Sequence, residues 1–343
     1  MPDRIVGITG SVGKTSSKDL AAAILSRRYV TTANEKSFNN ELGVPLTLVN
    51  ASSDTEVTIV EMGARGDGHI SDLCAVARPT VAIVTAIELA HSEFMGGLDD
   101  IARAKGELVE SLPTNGIALL NADNPRVMAM AGRTSARSIT FGMTGGDVTA
   151  SLITIEDDLR VQFMLSSDWG SATVRLGVRG VHHVGNALAA AALALVWDVP
   201  IADIVDGLEQ ASLSPWRMEL HRSPTGVRVL NDAYNAGPAS MEAALRAVAQ
   251  LPTARHHAVL GPMAELGPQS AAAHAHVASV AAELGIRLIA FGTADYGETA
   301  VSIAATIEEA AEFLGPLDAD DAVLVKGSRI AGLERLAAVL LES

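Results

Sequence analysis

The chain has little with which to staple itself, to grip a polyanion or to cross a bilayer. One cysteine, Cys74, in 343 residues excludes an internal disulfide, which fits a reducing compartment. Nothing around Cys74 suggests a nucleophile, so a buried structural thiol is its plainer reading. Basic residues are outnumbered, 25 against 40 acidic ones, for a net charge of -15. That argues against a general nucleic-acid binder, which needs a basic face. It leaves phosphate ligands open, because their sites are local and built from backbone N–H groups and one or two cations. The longest apolar runs, such as residues 187–196, are too short and too alanine-rich to span a membrane. The first residues enter a strand pattern at once, with no signal-peptide pattern. A soluble, cytoplasmic protein without membrane insertion is expected.

Hydrophobic residues make up 48% and aromatics only 3%. Much of the apolar content is Ala, Val and Leu, which suits helices packed on buried parallel strands. The length suffices for two domains. Residues 5–9 predict a strand, 10–13 a tight turn and 14–27 a helix. Strands are expected at 29–32, 56–61, 80–85 and 116–120, with a helix at 98–111, the alternation of a doubly wound α/β sheet. Residues 147–177 change character, with three short segments of antiparallel type, read as a β insertion or small side sheet. A helix follows over 182–196. A boundary falls near 213–215, giving domains 1–213 and 214–343. In the second, strands at 227–231, 257–261, 287–292 and 322–326 alternate with helices at 240–250, 269–284 and 307–314.

Between the first strand and helix, residues 6–16 read VGITGSVGKTS. Such a loop turns backbone N–H groups toward an anion; Lys14 can reach the β- and γ-phosphates of a nucleotide and Thr15 can ligate Mg²⁺. The long Walker spacing fails, since Ile8 stands where its first glycine belongs, but the shorter GxxGKT form holds. The plain alternative is a glycine-rich β–α turn with an incidental lysine.

The segment TGSVGKT at residues 9–15 resembles the ATP loop of the Mur ligases. Further segments resemble the same family in the same order: SFNNELGVPLTL (37–48), EMGA (61–64), AH (90–91), AKGE (104–107), NADN (121–124), NALAA (186–190), NDAYNAGPASM (231–241), GPMAELG (261–267) and VKGSR (325–329). The last three are similar to the branch that adds D-alanyl-D-alanine to a UDP-muramyl tripeptide. The resemblance covers nearly the whole chain. It implies a P-loop ATPase-like doubly wound sheet with a small β insertion, followed by a Rossmann-like C-terminal α/β domain. It also implies an ATP-dependent amide ligase, in which a carboxylate becomes an acyl phosphate that an amine attacks.

By that resemblance, Gly10, Ser11, Gly13, Lys14, Thr15 and Ser16 hold the phosphates. Thr15 and Glu61 hold one Mg²⁺, and His91 holds a second together with Lys105, which is carbamylated. Lys14, Lys105 and His91 are the implied catalytic groups. Asn186 resembles the adenine contact; Arg217 and Asp232 reach phosphates and ribose, and Tyr234 and Asn235 lie against the base. Thr32, Asn39 and Asn40 face the muramyl-peptide, and Lys326, Ser328 and Arg329 face the amine and its carboxylate. Plainer readings remain beside these: a surface lysine at Lys105, a loop histidine at His91, a solvated strand-end acid at Glu61, a helix cap at Asn186, a seam ion pair at Arg217 and Asp232, seam packing at Tyr234, turn chemistry at Thr32, Asn39 and Asn40, and a surface ion pair at Arg329.

The departures are Val12, His183 and Gly237 where Asn is usual, and Pro262 where the family has Asp. Proline has no N–H and the acid is gone. Full-length ligases of this kind begin with a domain that binds the UDP-sugar, whereas this chain starts at the ATP domain. Three readings follow: a domain cut away, a natural short form acting on another carboxylate, or a substrate delivered by a separate partner protein. The partners implied are a nucleotide-sugar peptide or other small carboxylate and an amine such as a dipeptide, with no nucleic acid. A ligase of cofactor or secondary metabolism, and a catalytically silent nucleotide-binding protein, stand as alternatives.

Overall fold

The computed structural model of the chain describes residues 4–35, 37–89 and 95–342. Its strands are β1 (Arg4–Thr9), β2 (Thr31–Ala33), β3 (Val57–Glu61), β4 (Val81–Val84), β5 (Ile117–Asn121), β6 (Arg137–Gly142), β7 (Val148–Ile155), β8 (Arg160–Ser167), β9 (Gly170–Arg179), β10 (Glu219–Arg222), β11 (Arg228–Asn231), β12 (Arg255–Leu260), β13 (Arg287–Phe291), β14 (Ser302–Ala304) and β15 (Asp321–Lys326). They form two sheets, ordered β2-β3-β1-β4-β5-β6-β7-β8-β9 and β10-β11-β15-β12-β13-β14. Pairing is parallel from β2 to β6 and from β11 to β14.

The helices are α1 (Lys14–Leu25), α2 (Gly43–Asn50), α3 (His69–Ala77), α4 (Leu98–Glu110), α5 (Pro125–Met128), α6 (His183–Leu195), α7 (Ile201–Gln210), α8 (Pro238–Val248), α9 (Ser270–Glu283), α10 (Ile307–Leu314) and α11 (Glu334–Glu342). Four apolar clusters line the two faces of the two sheets. Parallel strands covered on both faces need continuous apolar runs, and residues 81–84 (VAIV) and 57–61 (VTIVE) are buried throughout. Helix α6 buries every residue from Ala187 to Leu195, and its alanines let it lie close against α1.

Two expectations change in detail. The antiparallel strands β7, β8 and β9 form no separate sheet: β6 and β7 pair over Phe141 and Val148, so the hairpins prolong the main sheet. Helices α2, α3, α7 and α11, and the edge strands β10 and β14, were not anticipated. They are short or carry mixed patterns.

Candidate nucleotide and ligation site

In a parallel sheet, the connections leave the carboxyl ends of the strands, so polar residues just past those ends gather along one edge. On the first sheet that edge carries the loop after β1, Glu61 at the end of β3, Thr85 after β4 and Asn121 at the end of β5. On the second it carries Asp232 after β11, the 261–264 loop after β12, and Lys326, Ser328 and Arg329 at and after the end of β15. Short contacts join the two sides. The amide and hydroxyl of Ser214 donate to Asp19 at 2.7 and 2.8 Å, and Arg217 reaches the Ser37 hydroxyl at 3.5 Å.

Glycine is required twice in the phosphate loop. Gly10 has φ 148° and a Cβ there would stand 1.9 Å from Thr85 Oγ1. Gly13 has φ 83°, and its Cβ would meet Asn186 Oδ1 at 2.5 Å. The loop is pinned from the neighbouring strand: Thr85 Oγ1 donates to the Val12 carbonyl at 2.6 Å and the Ser11 amide to the Ala86 carbonyl at 2.7 Å. Val12 therefore contributes through its backbone. Helix α1 starts at Lys14 with no side-chain cap and no acid in its first turn, which leaves its amino end suited to an anion.

Lys14 bends back over the loop, donating to the Gly10 carbonyl at 2.7 Å. Burial lowers its pKa, Glu61 opposes that shift, and Arg217 adds to it. Thr15 Oγ1 donates to Glu61 Oε2 at 2.7 Å and lies 3.1 Å from the Ser37 hydroxyl. Asn39 Nδ2 donates to Glu61 Oε1 at 2.7 Å, and the Glu61 amide donates to Asn34 Oδ1 at 2.8 Å. Glu61 is only 1% exposed, and among the described residues no cation stands within 4 Å of its carboxylate. A buried carboxylate among hydroxyl oxygens, without a cation, is a costly arrangement that a hard divalent ion would neutralise. The Thr15–Glu61 set thus fits Mg²⁺.

Lys105 projects from α4 and is 1% exposed. Burial holds its pKa well below the ordinary lysine range; the Lys14 charge pushes the same way and Glu61 opposes. Among the described residues no carboxylate lies within 4 Å of it. The surface-lysine reading is excluded. His91 lies outside the described residues.

At the seam, three of the seven buried side-chain polar atoms that lack a protein partner among the described residues sit together: His182 Nδ1 and His183 Nε2 from the first domain and Arg217 Nε from the second. The two histidine rings lie 4.2 Å apart. Burial pushes His182 down to about 4 and His183 well below its usual value, so both rings are neutral near pH 7. His183 Nδ1 stands 3.0 Å from Asn186 Nδ2. An amide N–H can only donate, so the ring proton is on the unpartnered Nε2. Asn186 lies inside α6, not at its cap, with Oδ1 turned toward Ser17 and Gly13. Arg217 lies over the Tyr234 ring at 4.1 Å. Buried polar atoms without partners are expensive, at about 1–3 kcal/mol each, and a polar ligand would relieve them.

Other residues keep more local partners. Asp232 and Lys326 form an ion pair at 2.6 Å, and Lys326 also donates to the Asn235 carbonyl at 2.9 Å; both partners belong to the second sheet, so the pair does not bridge the seam. Arg329 pairs with Glu334 at 2.8 Å and lies over Trp216 at 4.4 Å. Thr32 shares a hydrogen bond with Thr55, and Asn40 Oδ1 accepts from the Leu42 and Gly43 amides before α2, which is turn chemistry. Asn39 joins the Glu61 group. Sequence reasoning missed Thr85, Ser37 and Asn34. A polar residue directly after an apolar strand was the available signal for Thr85; the other two are recognisable only from their contacts.

A pinned phosphate loop, a carboxylate–hydroxyl pair for a divalent ion and unpartnered buried nitrogens at the seam define an enzyme that uses a nucleoside triphosphate. Comparison with known proteins makes this specific. The Mur ligase middle domain matches residues 8–194, and the Mur ligase glutamate ligase domain matches residues 216–329. The chain belongs to the Mur ligase family. It is 39% identical to the UDP-N-acetylmuramoyl-tripeptide–D-alanyl-D-alanine ligase of Mycobacterium tuberculosis, over 98% of this chain and 72% of that protein. It is 34% identical to the same-named ligase of Escherichia coli, over 100% of this chain and 78% of that protein. MurF of Acinetobacter baumannii superposes with a TM-score of 0.92 at 32% identity, over 99% of this chain and 77% of the other. MurF ligase of Thermotoga maritima, solved in complex with ADP, superposes with a TM-score of 0.91 at 25% identity, over 99% and 80%.

Proposed function

We propose that this ATP-dependent ligase joins D-alanyl-D-alanine to a UDP-muramyl tripeptide in peptidoglycan synthesis, the substrates that the names of its relatives give. A phosphate loop would serve any ATPase. The observation that carries the reading to an acyl-phosphate ligase is Lys105, a fully buried lysine with no carboxylate within 4 Å among the described residues, in the field of Lys14 and Glu61.

The tripeptide carboxylate oxygen attacks the γ-phosphorus and ADP leaves. The amine nitrogen then attacks the acyl carbon, and phosphate leaves as the amide forms. Lys14 and the loop amides hold the phosphates in line. Thr15 and Glu61 would hold one Mg²⁺, which would supply charge neutralisation. His91 and Lys105 would serve a second. A cationic Lys105 would repel a metal, and its lowered pKa favours the neutral amine that can add CO₂, with loss of a proton, to become an anionic carbamate. Asn186, Arg217, Asp232, Tyr234 and Asn235 enclose the nucleotide, with Thr32, Asn39 and Asn40 on the acyl-donor side and Lys326, Ser328 and Arg329 on the amine side. Domains 1–213 and 214–343 close on the ligands. Among the described residues no helix is long and apolar enough to cross a membrane, in keeping with a cytoplasmic enzyme.

ADP formation is expected to require both UDP-muramyl tripeptide and D-alanyl-D-alanine. Turnover with another acid and amine, and none with this pair, would overturn the assignment. One feature favours that second reading: Pro262 occupies the amine-side loop without an N–H or an acid, its carbonyl accepting from the Ser328 amide at 3.0 Å.

A further inference from the structure

Behind the amine-side loops lies a buried imidazole that the reaction as described does not use. His274, on α9, is fully buried. Its Nε2 accepts from the Met263 amide at 2.9 Å, and its Nδ1 stands 2.8 Å from the Ser270 carbonyl. A backbone N–H can only donate and a carbonyl can only accept. The two contacts therefore fix one neutral tautomer, with the proton on Nδ1.

Tyr296 packs edge-on against this ring, with centroids 4.9 Å apart, and donates its hydroxyl to the Gly261 carbonyl at 2.7 Å. The two side chains thus hold both ends of residues 261–263. That loop is stitched in turn to the one after β15. The Gly261 amide donates to the Lys326 carbonyl at 2.8 Å, the Ala264 amide to Ser328 Oγ at 2.9 Å, and the Ser328 amide to the Pro262 carbonyl at 3.0 Å. The backbones approach so closely that a Cβ on Gly327 would stand 3.0 Å from Gly261 Cα. The Ser328 side chain is consequently aimed by a loop that His274 and Tyr296 anchor from behind. Pro262 removes one backbone donor from this stretch, so the anchoring falls on few bonds.

We propose that His274 is a positioning residue for the amine substrate: with Tyr296 it fixes residues 261–264 against Ser328, and so sets the affinity of the site for the dipeptide without touching it. This rests on the reading that Ser328 and its neighbours face the amine.

The test is steady-state ADP formation by the full chain and its H274L, H274Q and Y296F variants, with the dipeptide, ATP and UDP-muramyl tripeptide varied in turn. Losing one buried hydrogen bond to a site of this kind corresponds to about a tenfold change. H274L is expected to raise KM for D-alanyl-D-alanine about tenfold, leaving KM for ATP within about twofold. H274Q, which carries both an acceptor and a donor, restores most of the loss, and Y296F falls between. Amide hydrogen exchange over residues 261–266 is measured beside it and should speed up in H274L but not in H274Q. Unchanged dipeptide KM in H274L, or an equal rise for ATP, overturns the inference. Should the wild type give no turnover with these substrates, the functional reading fails by itself. Exchange then decides: unaltered protection of Met263 and Ala264 in H274L overturns the anchoring, and lost protection sustains it.

Discussion

Two parts of the site, the phosphate loop with its acid and the seam between the domains, are finished to different degrees. On the first sheet the groups that would meet phosphate and metal are already bonded to one another. Lys14 rests on the Gly10 carbonyl, Thr15 on Glu61, Asn39 on Glu61 and Thr85 on the Val12 carbonyl. At the seam, His182 and His183 of the first domain and Arg217 of the second each bury a ring or guanidinium nitrogen with no protein partner among the described residues. The first side is preorganised: its dipoles are aimed before reaction and cost nothing to reorient. The second stores unmet hydrogen-bonding capacity that a nucleotide would discharge. Such an arrangement makes the ligand itself the link between domains.

The comparison can be broken most sharply on the finished side. Lys14→Ala should lower ATP-dependent phosphate release about 10³-fold, measured by ADP formation at saturating substrates; near-normal release would remove the phosphate-loop assignment. Next comes Lys105→Ala, with an expected loss of about 10²-fold. Wild-type activity should also fall in carbonate-depleted buffer and return on adding bicarbonate, and full activity with an unmodified lysine would reject the carbamate.

A change at the opposite end of a site strand serves as a control. Asp321 starts β15 and is buried, bonded to Arg255 at 2.7 Å and to His257 at 2.8 Å. Asp321→Asn should cost about 2–3 kcal/mol in denaturant unfolding and leave KM for ATP unchanged. These partners, Arg255 foremost, hold the Asp321 carboxyl well below the usual carboxylate range. Its contribution to stability is therefore complete above the unfolded value, about pH 4, and is lost as pH falls toward the depressed folded value. In Asp321→Asn that acid-side loss should shrink. The smallest expected effect lies at the seam. Arg217→Ala should raise KM for ATP about tenfold with little change in thermal stability; a marked loss of stability instead would mean that Arg217 serves the apo fold and that the two sides are not distinct.

Legibility followed the same division. The phosphate loop, the strand-end acid Glu61 and the alternating strands could be read from the chain because each is a local pattern: a turn needing glycine, a parallel strand needing an unbroken apolar run. Asn186 was found by resemblance, yet its neighbour His183, which stood out only as a departure, proves to face its amide at 3.0 Å. Asn40 and Thr32 were expected near substrate and have local turn and strand-edge partners in the structure. Arg329 carries the surface ion pair that was its plainer alternative. Short elements such as α2 and β10 went unread because four to eight residues carry too little periodicity, and contact with a neighbouring element completes them.

By itself the sequence determined the chemistry available: where an anion can be wrapped by backbone, which acid ends a buried strand, and that no internal disulfide can form. Only the tertiary structure decided which of those groups are bonded to each other and which face the seam unpartnered. It made Lys105 a buried amine in the field of Lys14, and it set His274 behind the 261–264 loop. The physical reason is that desolvation and hydrogen-bond saturation depend on all neighbours in space. A residue's own stretch of chain supplies only a few of them.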